Sequence, residues 1–299
     1  MKPNNEWRTM MIKLFLILIF SILVSNVSAL ENCKWNNSKG TPCTTITKTP
    51  NTSNYNSKGI NKTIFTKRQI VESGATTAVD LLKKVSGLDY YQTGQKGQQA
   101  AIFMRGSESN HTLVLLNGIA INDQSTTNGL HDFGQDFVQT VQQIEVYKGS
   151  NGAHFGPDAI GGAINFVTDI DYTNSFSVSG FSYNNNSTNY NTTKITDNGW
   201  HLNFKGATNQ NKTDSAKAKG NESDGTKNYQ VNLNGNKWLN DNLKLKSTFY
   251  YRDTKSDYDS SATKEDSVFA DNKMYALQTG VERKTNNSLD NIMFHYHNY

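Results

Sequence analysis

Histidines, carboxylates and glycine-rich turns are the groups in this chain that could do chemistry. The sequence contains no HExxH, GxSxG or Walker motif, the patterns that place a zinc ion, a nucleophilic serine or a phosphate-binding loop. The turn "GPDAIGG" at 156–162 looks like a phosphate loop, but it precedes a strand pattern instead of opening a helix. His295 and His297 share a strand face and could bind a metal, although strand surfaces often carry such residues without one. We therefore predict that the chain is not an enzyme.

Carboxylates occur in two polar stretches, 208–226 and 253–272. Clustered carboxylate oxygens suit hard cations such as calcium. The candidate calcium ligands are Glu222, Asp224, Asp259 and Asp271. Acidic side chains on solvated loops account for the same pattern without an ion, so both interpretations stay open, and no cofactor is required.

The composition argues against a nucleic-acid-binding protein. The formal net charge is +4 over 299 residues, and lysine and arginine form no block, so the basic patch that nucleic acid needs is missing from the sequence. Only 35% of the residues are hydrophobic, yet there are 14 Tyr, 14 Phe and 4 Trp. Aromatic residues that alternate with polar ones indicate strands with one wet face and one apolar face.

The N-terminus has the organisation of a secretory signal peptide over residues 1–29. Basic residues precede the apolar run 14–24, and small residues follow it at 27–29. A membrane anchor is the alternative, but the run is shorter than the ~20 residues that a spanning helix needs. No later run is long enough to span, so membrane residence would require a β-barrel. Cys33 and Cys43 would follow the cleavage site in an oxidising compartment, where they could pair.

Three regions follow the signal peptide. Residues 30–59 are rich in Thr, Asn, Ser and Lys and are expected to be flexible. Residues 60–170 alternate a helical pattern with short strand patterns, which predicts a compact α/β domain. Ala78, Leu81, Leu82 and Val85 have the spacing of one helical face. Strands are expected at 100–104, 112–116, 142–147 and 163–167, and Asn117–Gly118 is a strong hairpin signal.

Residues 171–299 change to a period of two, with about seven strands such as "GWHLNFKGA" and "NYQVNLNGN". Short connections alternate with the long polar stretches 208–226 and 253–272, which is typical of a transmembrane β-barrel. A soluble β-sandwich is the alternative. Against it, the sequence stops at Tyr299 inside an aromatic strand pattern, which would leave an unpaired edge. The predicted fold class is therefore an α/β plug followed by an incomplete antiparallel transmembrane β-barrel.

Three motifs in the α/β region resemble the plug domain of TonB-dependent outer-membrane receptors, most closely the cobalamin-receptor branch. They are "AVDLLKKVSGLDY", "AIFMRGSESNHTLVLLNGIAIND" and "IEVYKGSNGAHFGPDAIGGAINFVT", with a Gln- and Gly-rich loop between the first two. The resemblance is specific over about 60–170, whereas over 171–299 it rests on the order of strands and loops. It implies a larger barrel of about 22 strands, an outer-membrane location in a Gram-negative bacterium and contact with outer-membrane lipid.

The resemblance also implies site residues. Arg105 and Glu145 look like the family's plug-locking groups, with direct substrate contact as the alternative. A buried arginine would need a charged partner. The loops "QTGQKGQQ" and "NDQSTTNG" look like plug apices that touch the ligand. The candidate ligand-binding residues are Thr93, Gln99, Thr126 and Thr127. A solvated loop without ligand contact is the alternative for all four.

The resemblance also implies how transport is energised and which substrate is carried. Family members carry a short extended segment near the mature N-terminus that adds a strand to TonB. The candidate segment is Thr44, Thr45, Ile46, Thr47 and Lys48, and a plain linker is the alternative. The implied function is active uptake of a scarce large nutrient, with cobalamin preferred and a ferric siderophore as the alternative. Cobalamin receptors carry calcium-bound loops, which adds to the calcium interpretation. A secreted adhesin would show passenger repeats, and the sequence has none.

Overall fold

The computed structural model describes residues 61–123, 128–149, 155–181, 185–212, 224–261, 264–285 and 289–298. These residues form a five-stranded sheet, a seven-stranded sheet and a separate hairpin. No helix in the described part of the chain is both long and apolar enough to cross a membrane. The signal segment 1–29, the region 30–59, Cys33 and Cys43 lie outside the described residues.

Residues 61–167 form the α/β domain, called the plug below. Its elements are β1 (Asn61–Thr66), α1 (Lys67–Glu72), α2 (Ala78–Leu82), β2 (Leu88–Gln92), β3 (Ala100–Met104), β4 (Thr112–Leu116), β5 (Ile119–Ala120), β6 (Gln143–Lys148) and β7 (Gly162–Val167). Two 3-10 turns lie at Ser109–His111 and Phe133–Gln135. The four strands predicted for this region are present within a residue of their expected bounds.

The plug sheet has the strand order β1-β6-β7-β4-β5, and β2 pairs with β3 alone. Only β4 and β7 run parallel, while the other plug pairs are antiparallel. Helix α2 is short, but all four side chains of the predicted apolar face are buried: Ala78, Leu81, Leu82 and Val85. They join apolar residues of β3, β4, β6 and β7 in one core. Burial of this stripe is what holds a five-residue helix in place, because so short a helix is marginal by itself.

The predicted hairpin at Asn117–Gly118 is confirmed. Leu116 pairs with Ile119 across a two-residue turn, and both turn residues have positive φ, 51° and 85°. A two-residue turn with positive φ at both positions matches the twist of the flanking strands and favours Asn-Gly. The turn is also anchored to β7, because Gly118 N donates to Asn165 Oδ1 at 2.9 Å.

Residues 175–298 form the seven-stranded sheet, called the wall below. Its strands are β8 (Ser175–Phe181), β9 (Asn185–Ile195), β10 (Trp200–Lys212), β11 (Gly225–Asn240), β12 (Leu243–Ser261), β13 (Lys264–Lys284) and β14 (Leu289–Asn298). Each strand pairs antiparallel with the next in sequence, and β8 and β14 lie at the two edges of an open sheet. The predicted number of strands and the predicted incomplete barrel are confirmed.

The wall is polar on the side that faces the plug and apolar on the other side. Asn203 and Lys205 are buried, whereas Leu202 and Phe204, which alternate with them on β10, are exposed. Side chains alternate between faces along a strand. Strand β11 likewise has polar residues on its inner face and apolar residues on its outer face. A sheet with a polar inner face and an apolar outer face is the arrangement of a membrane barrel, not that of a soluble sandwich.

The prediction that 253–272 is a long loop is wrong. Strand β12 continues to Ser261 and β13 begins at Lys264. The other polar stretch, 208–226, is shortened as well, because β10 reaches Lys212 and β11 begins at Gly225. Both strand ends carry polar residues on both faces, so they lack the apolar alternation that marks a strand in sequence. The ladder of main-chain hydrogen bonds does not depend on that alternation.

Candidate functional site at the plug apex and the plug–wall interface

The loop between β2 and β3, residues 93–99, forms the described apex of the plug. Thr93 closes this loop, because its backbone nitrogen and its hydroxyl both donate to the carbonyl of Gln99, at 3.0 and 3.2 Å. The side chains of Thr93 and Gln99 are exposed. Thr126 and Thr127, the other candidate ligand-binding residues, lie outside the described residues. Ligand contact by these four residues remains a prediction.

Wall side chains hold the apex loop by its main chain. Asn211 Nδ2 and Thr226 Oγ1 both donate to the carbonyl of Lys96 at 2.9 Å. Ser256 Oγ donates to the carbonyl of Gly97 at 2.7 Å. These three donors come from β10, β11 and β12, so the loop is positioned by three neighbouring wall strands.

Gly97 makes this close approach possible. Its φ is +94°, and a Cβ built on it would lie 2.3 Å from Thr226 Cγ2. A side chain at this position would therefore be strained in its backbone and would collide with β11. The neighbouring Gln98 is buried and donates to the carbonyl of Asp257 at 3.1 Å, which adds one more contact between loop and wall.

Lys96 also links the apex loop to helix α2. Its ammonium group donates to Asp80 Oδ2 at 2.9 Å and to Thr76 Oγ1 at 2.8 Å. Asp80 accepts further hydrogen bonds from the backbone of Thr76 and Thr77 at the start of the helix. Burial disfavours the charged form of Asp80, but the Lys96 ion pair and these hydrogen bonds lower its pKa to about 2. The cation at the apex is therefore already engaged by the plug.

A cluster of buried charges joins the plug to the wall below the apex. Arg252 on β12 is 2% exposed, and its Nη1 donates to Asp136 Oδ1 of the plug at 2.5 Å. Asp136 Oδ2 lies 2.7 Å from Nε2 of His131, whose Nδ1 lies 3.3 Å from the carbonyl of Ile121. The Asp136 carboxylate therefore contacts Arg252 of the wall through one oxygen and His131 of the plug through the other.

Asp132 adds a second carboxylate near this cluster. It accepts hydrogen bonds from the backbone nitrogens of Ala100 and Gly134, both at 2.9 Å. Burial nevertheless raises its pKa above the ordinary value, and Asp136 contributes in the same direction. Asp132 therefore ties the start of β3 to the 3-10 turn that precedes Asp136.

Amide side chains of the wall also bind the plug main chain. Gln230 Nε2 donates to the carbonyl of Phe137 at 2.9 Å, and Gln278 Nε2 donates to the carbonyl of Leu116 at 2.8 Å. The segment that connects plug and wall is held in the same way, since Asn234 Nδ2 donates to the carbonyl of Thr168 at 2.7 Å. Neutral amides can satisfy buried carbonyls without the cost of burying a charge, so the inner wall fits the plug closely through polar contacts.

Arg105 differs from the expectation of a buried arginine with a charged partner. Its side chain is exposed, and it forms no ion pair among the described residues. It has a positive φ of 53°, and its Nη1 lies near Gly149, where a Cβ would come within 2.6 Å of it. An exposed guanidinium is solvated and needs no carboxylate, so the premise of burial was wrong. Its role in locking the plug stays a prediction.

Glu145 on β6 is buried and accepts four side-chain hydrogen bonds within the plug. The donors are Lys62 at 2.9 Å, Gln143 at 2.7 Å, Tyr147 at 3.0 Å and Asn165 at 2.9 Å. Burial opposes ionisation, but the bonds from Asn165 and Lys62 outweigh it and lower the pKa of Glu145. The carboxylate ties β1, β6 and β7 together.

The structure brings no metal site together in the described part of the chain, where no three His, Cys, Asp or Glu side chains lie close enough to share an ion. Asp271 is paired with Lys273 at 3.3 Å, and Asp224 is buried just before β11. Glu222 and the side chain of Asp259 lie outside the described residues. Calcium binding therefore remains a prediction.

Sequence reasoning missed Asp136, His131 and Arg252. One signal was available for Arg252, which has the same strand parity as Tyr250 and Thr254 on β12 and therefore points to the inner face. A buried cation on the inner face calls for an anion nearby. The sequence does not show which carboxylate pairs with Arg252, because Asp136 lies 116 residues earlier in the chain.

Comparisons with known proteins agree with this architecture. Residues 52–163 match the family model of the TonB-dependent Receptor Plug Domain. Two proteins named vitamin B12 transporter BtuB, from Vibrio vulnificus strains YJ016 and CMCP6, are 43% identical over 105 residues and 40% identical over 106 residues. These matches cover 35% and 36% of this chain but only 17% of each transporter.

Solved structures share the fold over both plug and wall. The ferric yersiniabactin uptake receptor FyuA from Yersinia pestis matches with a TM-score of 0.62 and 18% identity, over 80% of this chain and 40% of that chain. The ferric citrate transporter FecA matches with a TM-score of 0.62 and 17% identity, over 79% of this chain and 39% of that chain. At this level of identity the likeness concerns the fold.

Proposed function

We propose that this chain, which carries a TonB-dependent receptor plug domain followed by seven strands of a barrel wall, is part of an outer-membrane receptor that actively takes up cobalamin. The observation that carries the proposal is the plug–wall interface, where wall amides and Arg252 hold a plug inside a sheet whose outer face is apolar. A filled barrel admits no passive flow of a large solute. Such a protein serves selective uptake better than general permeation.

The apex chemistry favours cobalamin over a ferric siderophore. Thr93 and Gln99 present neutral donors and acceptors at the loop tip, and the Lys96 ammonium is held by Asp80 and Thr76. A strongly anionic iron complex would favour several free cations there, whereas cobalamin is large, nearly neutral and rimmed by amides. The two relatives named as vitamin B12 transporters support the same choice. The siderophore alternative is kept because the structural neighbours include a ferric yersiniabactin uptake receptor.

Uptake through a plugged barrel needs energy from outside the outer membrane, which holds neither ATP nor a proton gradient. A partner that pulls on an extended segment near the plug can supply it, and TonB is that partner in our proposal. Thr44–Lys48 is the candidate segment, since Thr45, Ile46 and Thr47 have high strand propensity. Strand addition uses main-chain hydrogen bonds, which a proline cannot donate.

Binding and uptake of labelled cyanocobalamin by the full-length receptor test this function. We expect binding with Ile46→Pro to equal that of the native protein, while uptake is lost. Ser53→Pro, outside the candidate segment, serves as the control and should leave uptake intact. Unchanged uptake with Ile46→Pro would reject this segment as the TonB-binding strand.

The same assay decides the ligand and the metal. Tight binding of a ferric siderophore with no measurable binding of cyanocobalamin would overturn the corrinoid proposal and leave the receptor class in place. If calcium binds at the candidate carboxylates, which include Asp224 and Asp259, EDTA should weaken cyanocobalamin binding, because the ligand must then order this part of the chain itself.

A further inference from the structure

The inner face of strand β14 carries three side chains that can bind a soft metal ion: Met293, His295 and His297. His295 lies opposite Gln278 in the β13–β14 ladder. Gln278 points inward, because its side-chain amide donates to the plug carbonyl of Leu116 at 2.8 Å. Residues directly opposite each other share a face of the sheet, so His295 points inward too. Side chains alternate along a strand, which places Met293 and His297 on the same face.

The spacing of these residues lets neighbouring side chains share one ion. Residues two positions apart in a strand are separated by roughly 6.4–6.8 Å along its axis. An imidazole nitrogen binds Zn²⁺, for example, at about 2.0 Å, and it stands several bonds beyond its own Cα. The rings of His295 and His297 can therefore converge on an ion between them. Met293 supplies a thioether on the other side of His295, and its three rotatable bonds allow the sulfur to turn along the strand.

Gly280 leaves the room that the thioether occupies. It lies opposite Met293 in the ladder, and a Cβ built on it would lie 2.6 Å from Met293 Sδ. Met293 is 37% exposed and His295 is exposed as well, so a dissolved ion can reach the sulfur and the ring. Glu282, the next inner-facing residue of β13 after Gly280, is already paired with Lys246 at 2.5 Å. The described side chains that remain for an ion here are nitrogen and sulfur ligands.

We propose that Met293, His295 and His297 bind a copper ion, Cu(I), on the inner face of the wall. Two imidazoles and a thioether form a soft ligand set that favours Cu(I), whereas calcium and magnesium need oxygen ligands. The set differs from the groups of three His, Cys, Asp or Glu side chains that are absent from the described residues, because its third member is a methionine. The copper site goes beyond cobalamin uptake and does not depend on it.

Anaerobic competition between the full-length receptor and a chromogenic Cu(I) chelator tests this inference, because loss of the chelator complex measures the affinity of the protein. The thiols of Cys33 and Cys43 are first reduced and alkylated, so that they cannot compete for the ion. We expect His295→Gln with His297→Gln to weaken Cu(I) binding by at least about 100-fold, since even the loss of a group behind a metal ligand costs roughly 10–100-fold. The control, His111→Gln with His201→Gln, removes two histidines elsewhere and should leave the affinity unchanged.

Met293→Leu tests the thioether separately, because leucine has a similar volume and keeps the packing. We expect this variant to bind Cu(I) about tenfold more weakly and Zn²⁺ as the native protein does, since thioether sulfur favours Cu(I). X-ray absorption of the copper-loaded receptor should show a sulfur neighbour beside nitrogen, and Met293→Leu should remove the sulfur.

Equal Cu(I) affinity of the native protein and the His295→Gln, His297→Gln variant would overturn the inference, as would an equal loss in the control. A sulfur signal that persists in Met293→Leu would remove Met293 from the site and overturn the three-ligand assignment. Cyanocobalamin binding by the same preparations separates the two proposals. A receptor that binds cyanocobalamin but shows no histidine-dependent copper binding refutes this inference alone, whereas copper binding without cyanocobalamin binding refutes only the cobalamin assignment.

Discussion

Replacement of Arg252 by methionine tests the buried ion pair that joins wall and plug. Methionine keeps much of the length of the side chain but removes the charge that Asp136 faces at 2.5 Å. Both partners are almost fully buried, with side-chain exposures of 2% and 8%. The Asp136 carboxylate would then keep its contact with His131 Nε2, at 2.7 Å.

Removal of one partner from a buried ion pair costs roughly 3–5 kcal/mol, because the other charge is left uncompensated. His131 still contacts the carboxylate, so we expect the lower end, about 3 kcal/mol. This free energy corresponds to a change on the order of 100-fold in the equilibrium between the docked and the opened plug. The loss should be local to the plug–wall contact, since the ladder of the wall does not use this pair.

Hydrogen–deuterium exchange of the full-length receptor in detergent measures this opening, because protection reports the free energy of local unfolding. Amides of residues 133–141 should exchange on the order of 100-fold faster in Arg252→Met. Asp136→Asn removes the carboxylate that Arg252 faces at 2.5 Å and should have a similar effect. The double variant removes both charges, so its cost should be smaller than the sum of the two single costs.

Lys273→Met is the matched control for the Arg252 variant. It removes a wall cation that pairs with Asp271 at 3.3 Å, but both of these side chains are largely exposed. Exposed pairs contribute about 0–1 kcal/mol, so exchange in residues 133–141 should be nearly unchanged. If Arg252→Met changes exchange no more than Lys273→Met does, the reasoning from burial is refuted.

Three further perturbations act on the plug itself. Gly97→Val should displace the apex loop from Thr226 at a cost of about 1–3 kcal/mol, seen as faster exchange at 93–99 and weaker cyanocobalamin binding. Asp80 has a pKa of about 2 in the folded chain, so its stabilising contribution is present above pH ~4 and is lost as the pH falls toward ~2. In Lys96→Gln, the change in unfolding free energy over this pH range should be smaller by about 1 kcal/mol. Hydrogen–deuterium exchange across the same range measures it. Glu145→Gln should lower the free energy of unfolding by about 1–3 kcal/mol, and exchange should increase first in the amides of β1.

Each of these perturbations has a control and a contrary outcome. Gly106→Val has a comparable positive φ of 75° but no atom within 4 Å of the added Cβ, so an equal effect would show that backbone strain and not the wall contact matters. Lys83→Gln removes the more distant cation, 3.6 Å from Asp80, and should leave more of the pH dependence than Lys96→Gln. Glu108→Gln changes an exposed glutamate. If Glu108→Gln increases exchange in β1 as much as Glu145→Gln does, the four hydrogen bonds to Glu145 are not what holds that strand.

Much of the architecture could be predicted from the sequence, because the relevant signals are local. Four of the seven plug strands, the apolar face of α2 and the Asn117–Gly118 turn each depend on residues that are close together in the chain. The wall follows from side-chain alternation, which assigns Leu202 and Asn203 to opposite faces before any partner strand is known.

The site was less predictable than the fold. Thr93 and Gln99 could be placed at an exposed loop tip, but nothing in the sequence indicated that Asn211, Thr226 and Ser256 would hold that loop. The buried arginine was assigned to the wrong position, since Arg105 is exposed and Arg252 is buried. An arginine at the end of a plug strand and one inside a wall strand look alike until the plug and the wall are docked.

The sequence by itself determined most of the strands, which face of each wall strand is polar, and that a compact α/β domain precedes the wall. These properties depend on hydrophobic period and turn chemistry over a few residues. The tertiary structure alone decided how far β12 and β13 extend and that Asp136 meets Arg252. Main-chain ladders can continue through segments that are polar on both faces, and an ion pair between residues 116 positions apart depends on how the plug sits against the wall, which no local pattern encodes.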